Sequence, residues 1–452
     1  MKNKSKNKKA EHETETETET ETENQNEQLS TDKQVRVDFL KGVRVIVVAH
    51  YIPGPLAAYL LKGMGAEIIK VEPPFGDLMR QLPPFFNNGM GTDTTETESA
   101  YFKALNGGFK SMVINFKTLE GIEIFKKLIK KSDVIIDGNR ANYLEKILSQ
   151  KLEEINSEII HLPITAYGLK GPLRDIAGHD NNILAIAGNL SYCNRDEEGL
   201  PAVFGSQLAD ITAGYLAAFT AVSALFAKKN NNSHLKINTF DNSMLHAAFF
   251  LNQIYLPQLS INNRNPLPAK ELLNGGIANY KAYKTKDNKA IFFGPIEPAL
   301  FKNFLQKIER EDLIKMVFQG QDKNNSSGVN QNEINSLLLK ELKSIFIQKT
   351  RDEWMNFLKG VDCCVTPVNT LSEAVQEEQI CELSLVNKDA VNNEQNIMLT
   401  GFPVGFTKES LQPVNINANA PLLGEHTKEI LEDILLYDKQ SIANLYNSGT
   451  IK

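Results

Sequence analysis

A nearly unbroken run of β-branched residues, Val43-Arg44-Val45-Ile46-Val47-Val48, sets the strongest limit on how this chain folds. A strand buried on both faces has this composition, as in the middle of a parallel sheet, whereas a half-exposed strand alternates apolar with polar. Pro53-Gly54-Pro55 then turns the chain, residues 56–64 are helical in pattern up to Gly65, and 67–72 returns as a second strand ended by Pro73-Pro74. A crossover of this kind is what two parallel strands require. The pattern recurs with a strand at 112–116 and a helix at 118–131, where Ile122, Phe125, Leu128 and Ile129 fall at helical spacing. Further strands are expected at 133–137 and 159–164. The expectation is an α/β fold with a parallel sheet and helices on both faces.

Beyond this core the pattern changes. Residues 211–228 predict an alanine-rich, mostly buried helix, 229–233 a polar turn, and 235–239 a new strand. A hairpin is expected at 280–293 around Lys286-Asp287-Asn288-Lys289, then helices between 300 and 358 with a loop at 324–328. The last ~90 residues are expected to be strand-poor up to a helix at 427–435. These changes divide the chain into a large unit at 37–234, a smaller α+β unit at 235–360 and a C-terminal segment at 361–452. Residues 1–36, with their Glu-Thr alternation, are too polar to offset ordering entropy and are expected to be a disordered tail.

The formal net charge of −6 gives no case for nucleic acid or an anionic membrane as partner. Four cysteines, at 193, 363, 364 and 381, make no C-x-x-C pair, so no metal site is expected and they are taken as small core thiols in a reducing compartment. No apolar run reaches ~18 residues, which predicts no membrane span. The N-terminus carries no secretory pattern, and the ending Gly449-Thr450-Ile451-Lys452 is not the S-K-L address. A soluble intracellular protein is expected, its compartment left open.

Several separated motifs carry a family resemblance. They include Pro53-Gly54-Pro55, Gly65-Ala66-Glu67-Ile68-Ile69-Lys70-Val71-Glu72-Pro73, Gly168-Leu169-Lys170-Gly171-Pro172, Gly178-His179-Asp180, Asp210-Ile211-Thr212-Ala213-Gly214, Gly294-Pro295-Ile296-Glu297-Pro298 and Leu423-Gly424-Glu425-His426-Thr427. In order and spacing, from about Phe39 to about Leu435, the chain resembles the family III CoA-transferases and the α-methylacyl-CoA racemases that share their fold. Gly178-His179-Asp180, Asn274-Gly275-Gly276 and Ile296-Glu297-Pro298 resemble the racemase branch; the transferase branch usually lacks this histidine. The resemblance implies a Rossmann-like large domain built from both chain ends, a smaller inserted domain and a homodimer of interlinked chains. It also implies an acyl-CoA substrate and no cofactor beyond the CoA of that substrate. The chain departs from the racemase pattern at Ile183, at Pro163 and Ala166, at Ile211-Thr212-Ala213, and at Pro73, where a CoA-contacting arginine usually stands.

The chemistry suits these residues. A thioester acidifies its α-hydrogen because the enolate spreads charge onto the carbonyl oxygen. Inversion at that carbon needs a base on one face and an acid on the other, both titrating near working pH. Histidine does so unaided, and a carboxylate does so if burial raises its pKa. His179 and Asp210 supply one of each. Alone, His179 is equally a loop histidine and Asp210 an N-cap accepting from the Thr212 or Ala213 amide, where the helix N-terminus would also offer donors to an enolate oxygen. Glu297 is expected to support His179 across the dimer interface, and Asp180 to orient a neighbouring group beside Gly178. Lys70, Arg80, Lys110 and Arg140 are candidates for the CoA phosphates, Arg140 the best because it follows a strand end. His50, His161, His246 and His426 have no assigned role, and Trp354 is expected to pack between helices.

The expected reaction is proton transfer at C2 of 2-methyl-branched acyl-CoA thioesters. Two alternatives stand: a CoA-transferase in which Asp210 attacks the thioester and forms an anhydride, and a CoA-binding protein with weak or no catalysis.

Overall fold

The computed structural model describes residues 35–87, 97–230, 238–318, 331–391, 395–405, 411–413 and 419–452. The expected loop at 324–328 and all but the last two residues of the expected tail lie outside these. Five strands form the central sheet: β1 (Arg44–Val48), β2 (Glu67–Glu72), β3 (Lys110–Val113), β4 (Val134–Asp137) and β5 (Ile160–Pro163). Their order is β3-β2-β1-β4-β5, and every neighbouring pair is parallel. The chain therefore leaves β1 in one direction, returns, and continues on the other side of β1. That reversal leaves a crevice beyond the carboxyl ends of β1 and β4.

Alternate residues of each strand face opposite layers. Val45, Val47, Ile68, Val134, Ile136 and Leu162 join one core with α1 (Pro53–Gly63), α4 (Leu208–Lys229) and α5 (Met244–Phe250). Ile46, Ile69, Val71, Met112 and Ile135 join another with α2 (Leu119–Lys130), whose Ile124, Phe125, Leu128 and Ile129 are fully buried. Each such side chain contributes about 1.5–3 kcal/mol by leaving water. Ile430, Leu431, Ile442 and Leu445 pack into this second core, which brings the C-terminal segment back onto the sheet. α4 is long and apolar enough to cross a bilayer by composition, yet its Ala209, Ala213, Ala217 and Ala221 are buried against the sheet layer. Gly214 lets it approach α1: a Cβ there would sit 3.0 Å from the Pro53 carbonyl oxygen.

A third core gathers residues from Ala278 to Cys363 around an antiparallel sheet of β6 (Lys281–Lys284), β7 (Ala290–Phe293) and β8 (Val365–Pro367), with α6 (Pro298–Lys307) following β7. Trp354 is buried there, donating to the Phe346 carbonyl at 2.9 Å.

Several expectations need correction. The second unit begins later than residue 235, because Met244, Ala247 and Ala248 pack into the large core, and it extends past 360 to include β8. The tail ends before 35, since Val35–Val37 pairs in parallel with Leu411–Pro413. The last ~90 residues are not strand-poor: Val386–Val391 and Gln395–Thr400 form an antiparallel pair. The helix beginning at Thr427 passes into a π-helix at Ile430–Ile434. Cys364 and Cys381 are exposed rather than core thiols.

Candidate active site

His179 and Asp210 are linked through Asp180, which follows His179 in the chain and accepts a hydrogen bond from the Asp210 amide. α3 (Asp180–Ile186) starts immediately after His179, and its first carboxylate is buried, 5% exposed. Asp180 Oδ1 accepts from the backbone N–H of Ala209 at 2.7 Å and of Asp210 at 3.1 Å. The N-cap of α4 is Gln207, whose side chain makes no capping bond. Asp180 therefore caps that helix from 30 residues away in sequence. Asp210 is not the N-cap but the third residue of the helix, and the Ala209 and Asp210 amides are already engaged, so an enolate oxygen does not rest on them.

The Asp210 carboxylate receives no hydrogen bond from the described residues. Burial disfavours its charge and the nearby Asp180 carboxylate repels it, which together push its pKa up from 3.8 to about 7. Burial also raises the pKa of Asp180, although the two backbone donors pull the other way. His179 is exposed. Its amide donates to Asn182 Oδ1 at 3.1 Å, and its ring meets the Tyr51 ring edge-on with centroids 6.0 Å apart. Gly178 has no room for a side chain, because a Cβ would lie 2.9 Å from the Tyr167 hydroxyl and 3.0 Å from Ile183 Cδ1.

One residue before Tyr51, His50 lines a cleft of about 510 Å³ beyond the carboxyl ends of the sheet. Pro73, Phe75, Asn115, Lys117, Asn139 and Tyr143 also line it. The loop after β1 thus connects the cleft to His179. Sequence reasoning missed Lys117, Asn139 and His50. The signal available was that each follows a strand end, as Arg140 does.

The four expected phosphate contacts divide sharply. Lys70 is 1% exposed, with Nζ 2.6 Å from Asp77 and 3.0 Å from the Ala49 carbonyl. Burial works against the Asp77 charge, but Lys70 and the bonds from His50 and Met79 hold its pKa far below the usual carboxylate range. Arg80 binds both oxygens of Glu72 at 2.8 Å and stacks 3.7 Å from the Phe102 ring centroid. Lys110 is bridged to Glu67 and Glu429, both at 2.8 Å. These three are committed to internal ion pairs. Arg140 is exposed and makes no ion pair among the described residues. Glu297 is exposed at the start of α6 and is not brought to His179 within this chain. Among the described residues no cluster of three potential metal ligands occurs.

The chain matches the model of CoA-transferase family III over residues 40–427. It belongs to that family. Among curated relatives, (R)-2-hydroxy-4-methylpentanoate CoA-transferase of Clostridioides difficile is 27% identical, over 91% of this chain and 99% of the relative. Alpha-methylacyl-CoA racemase of Homo sapiens is 26% identical, over 87% and 93%. A crystal structure of a CAIB/BAIF family protein from Brucella suis superposes with a TM-score of 0.70 at 23% identity, covering 87% of this chain and 99% of that one. The fold is thus that of family III, whose known members include both racemases and transferases.

Proposed function

We propose that this family III member is a cofactor-independent racemase that inverts C2 of 2-methyl-branched acyl-CoA thioesters. The observation that most supports this reading is the linkage of His179 to Asp210 through Asp180, with the Asp210 carboxyl raised to about 7. One group removes the α-proton, the enolate forms, and the other group returns a proton to the opposite face. A carboxyl titrating near neutrality serves in either direction, as base when ionised and acid when protonated. In this reading the CoA nucleotide lies in the cleft at the sheet ends, its phosphates near Lys117 and Arg140, and the acyl end passes the Tyr51 loop toward His179. A second copy of the chain covers the exposed face of α4 formed by Tyr215, Phe219, Val222 and Phe226, and supplies Glu297 to His179. Incubation with a 2-methylacyl-CoA in deuterated water tests the reading. Deuterium at C2 with loss of optical purity is expected; a thioester recovered unlabelled and optically pure overturns it.

The alternative is CoA transfer through an aspartyl anhydride. An Asp210 carboxylate without a donor among the described residues is free to attack a thioester, and the Clostridioides difficile relative is named as a transferase. Hydroxylamine present during turnover with an acceptor acid would then convert Asp210 to its hydroxamate. No adduct is expected from the racemase.

A further inference from the structure

We propose that Asp180 is a positioning residue that prepares Asp210 for acid–base work by capping, with a buried carboxylate, the helix that carries it. This rests on Asp210 taking part in the proposed chemistry, but the placement itself does not. Asp180 is the first residue of α3 and directly follows His179, so one residue ties the backbone of His179 to the head of the helix that carries Asp210. Its Oδ1 binds the Ala209 and Asp210 amides, while Oδ2 is buried without a partner among the described residues. A neutral cap such as serine would satisfy the same amides. A carboxylate also satisfies them, but adds a like charge beside Asp210.

The titratable groups on elements packed against α4 are few. They are Tyr59 and Lys62 on α1, Tyr51 in the loop before it, His179 and Asp180 at the head of α3, His161 on β5, Asp241 before α5 and His246 on it. Tyr215 lies on α4 itself, as do Lys228 and Lys229 in its last turn, at the far end from Asp210. Of these, Asp180 is the one whose charge acts on the Asp210 carboxyl, in the direction that burial also drives it. Helix N-terminal potential ordinarily favours an ionised carboxylate in the first turn. Asp180 neutralises that potential where it is strongest, which explains how a first-turn aspartate stays partly protonated near neutral pH.

Asp180→Asn and Asp180→Ala separate capping from charge. Asn keeps an acceptor for both amides and loses the charge; Ala loses both. Carbon-13 NMR of labelled aspartate carboxyls in the full chain follows the Asp210 titration without reference to activity. Its midpoint is expected to fall below about 7 in Asp180→Asn, toward the ordinary carboxylate range. The melting temperature should stay near wild type in Asp180→Asn and drop in Asp180→Ala, which loses the cap. If C2 exchange is present, the acid limb of its pH profile should move down with the NMR midpoint in Asp180→Asn. An unmoved Asp210 midpoint in that variant overturns the proposal. A moved midpoint without C2 exchange in wild type upholds the positioning role and removes the racemase reading instead.

Discussion

Replacing Asp210 by asparagine should stabilise the protein at alkaline pH, the reverse of what a typical paired carboxylate would do. The reason lies in the unfavourable environment of its charge. In the unfolded chain Asp210 ionises near 3.8; in the folded protein burial and Asp180 hold it protonated up to about 7. Below 3.8 both states are protonated and the group contributes nothing to pH dependence. Between the two values the unfolded chain releases the proton while the folded one retains it. The folded state binds more protons there, so stability falls as pH rises. Above 7 the folded protein must carry the charge, and the full penalty is present. Three pH units at about 1.4 kcal/mol each give an upper bound of about 4 kcal/mol. Asp210 is only half-buried, so a gain of about 2–4 kcal/mol is expected for Asp210→Asn at pH 8 relative to pH 4. Urea unfolding of wild type and variant at one protein concentration, across pH 4 to 8, measures the difference. A stability gap that stays flat or shrinks with rising pH would refute the assignment of a raised pKa to Asp210.

Three further outcomes follow from the site and its surroundings. His179→Ala should abolish interconversion by ~10²–10⁴-fold while leaving the melting temperature nearly unchanged, because the ring is exposed; exchange for one enantiomer should suffer far more than for the other. Lys117→Ala and Arg140→Ala should each raise KM for the CoA thioester about tenfold or more with kcat retained, since a lost charge-assisted contact is worth ~1.5–3 kcal/mol; unchanged KM in both variants would move the nucleotide out of the cleft. Lys70→Met should instead lower stability by about 3–5 kcal/mol, because it strands the fully buried Asp77, and a stable variant with only a raised KM would return Lys70 to the ligand.

The parallel sheet was legible because its strands are buried on both faces, and β-branched runs advertise that condition locally. β2 is expected and observed at 67–72, and β1, β4 and β5 within a residue or so at either end. What could not be read was which core an apolar segment joins. Met244, Ala247 and Ala248 would suit either unit, and only the bond network around β5, where the Phe240 amide donates to the His161 carbonyl, commits them to the large one. The same limit applied to charge. Lys70, Arg80 and Lys110 look no different from Lys117 and Arg140 in a sequence. They differ in having Asp77, Glu72 and Glu67 folded against them.

Asp210 shows why a local rule failed at the site itself. An aspartate at the start of an apolar helix has the pattern of an N-cap, and the pattern is right about the need: the first amides of α4 do require an acceptor. The acceptor comes from Asp180, however, and that frees the Asp210 side chain from capping. A capping carboxylate accepts backbone bonds that favour its ionised form, which would leave it a poor acid near neutral pH. With the amides assigned to Asp180, the pKa-lowering bonds fall on a residue placed behind the site, and burial acts unopposed on Asp210. Division of the two tasks between two carboxylates is therefore what makes a proton-transferring aspartate compatible with a helix N-terminus. It also explains why a histidine, an adjacent buried aspartate and a second aspartate 30 residues on belong to one unit.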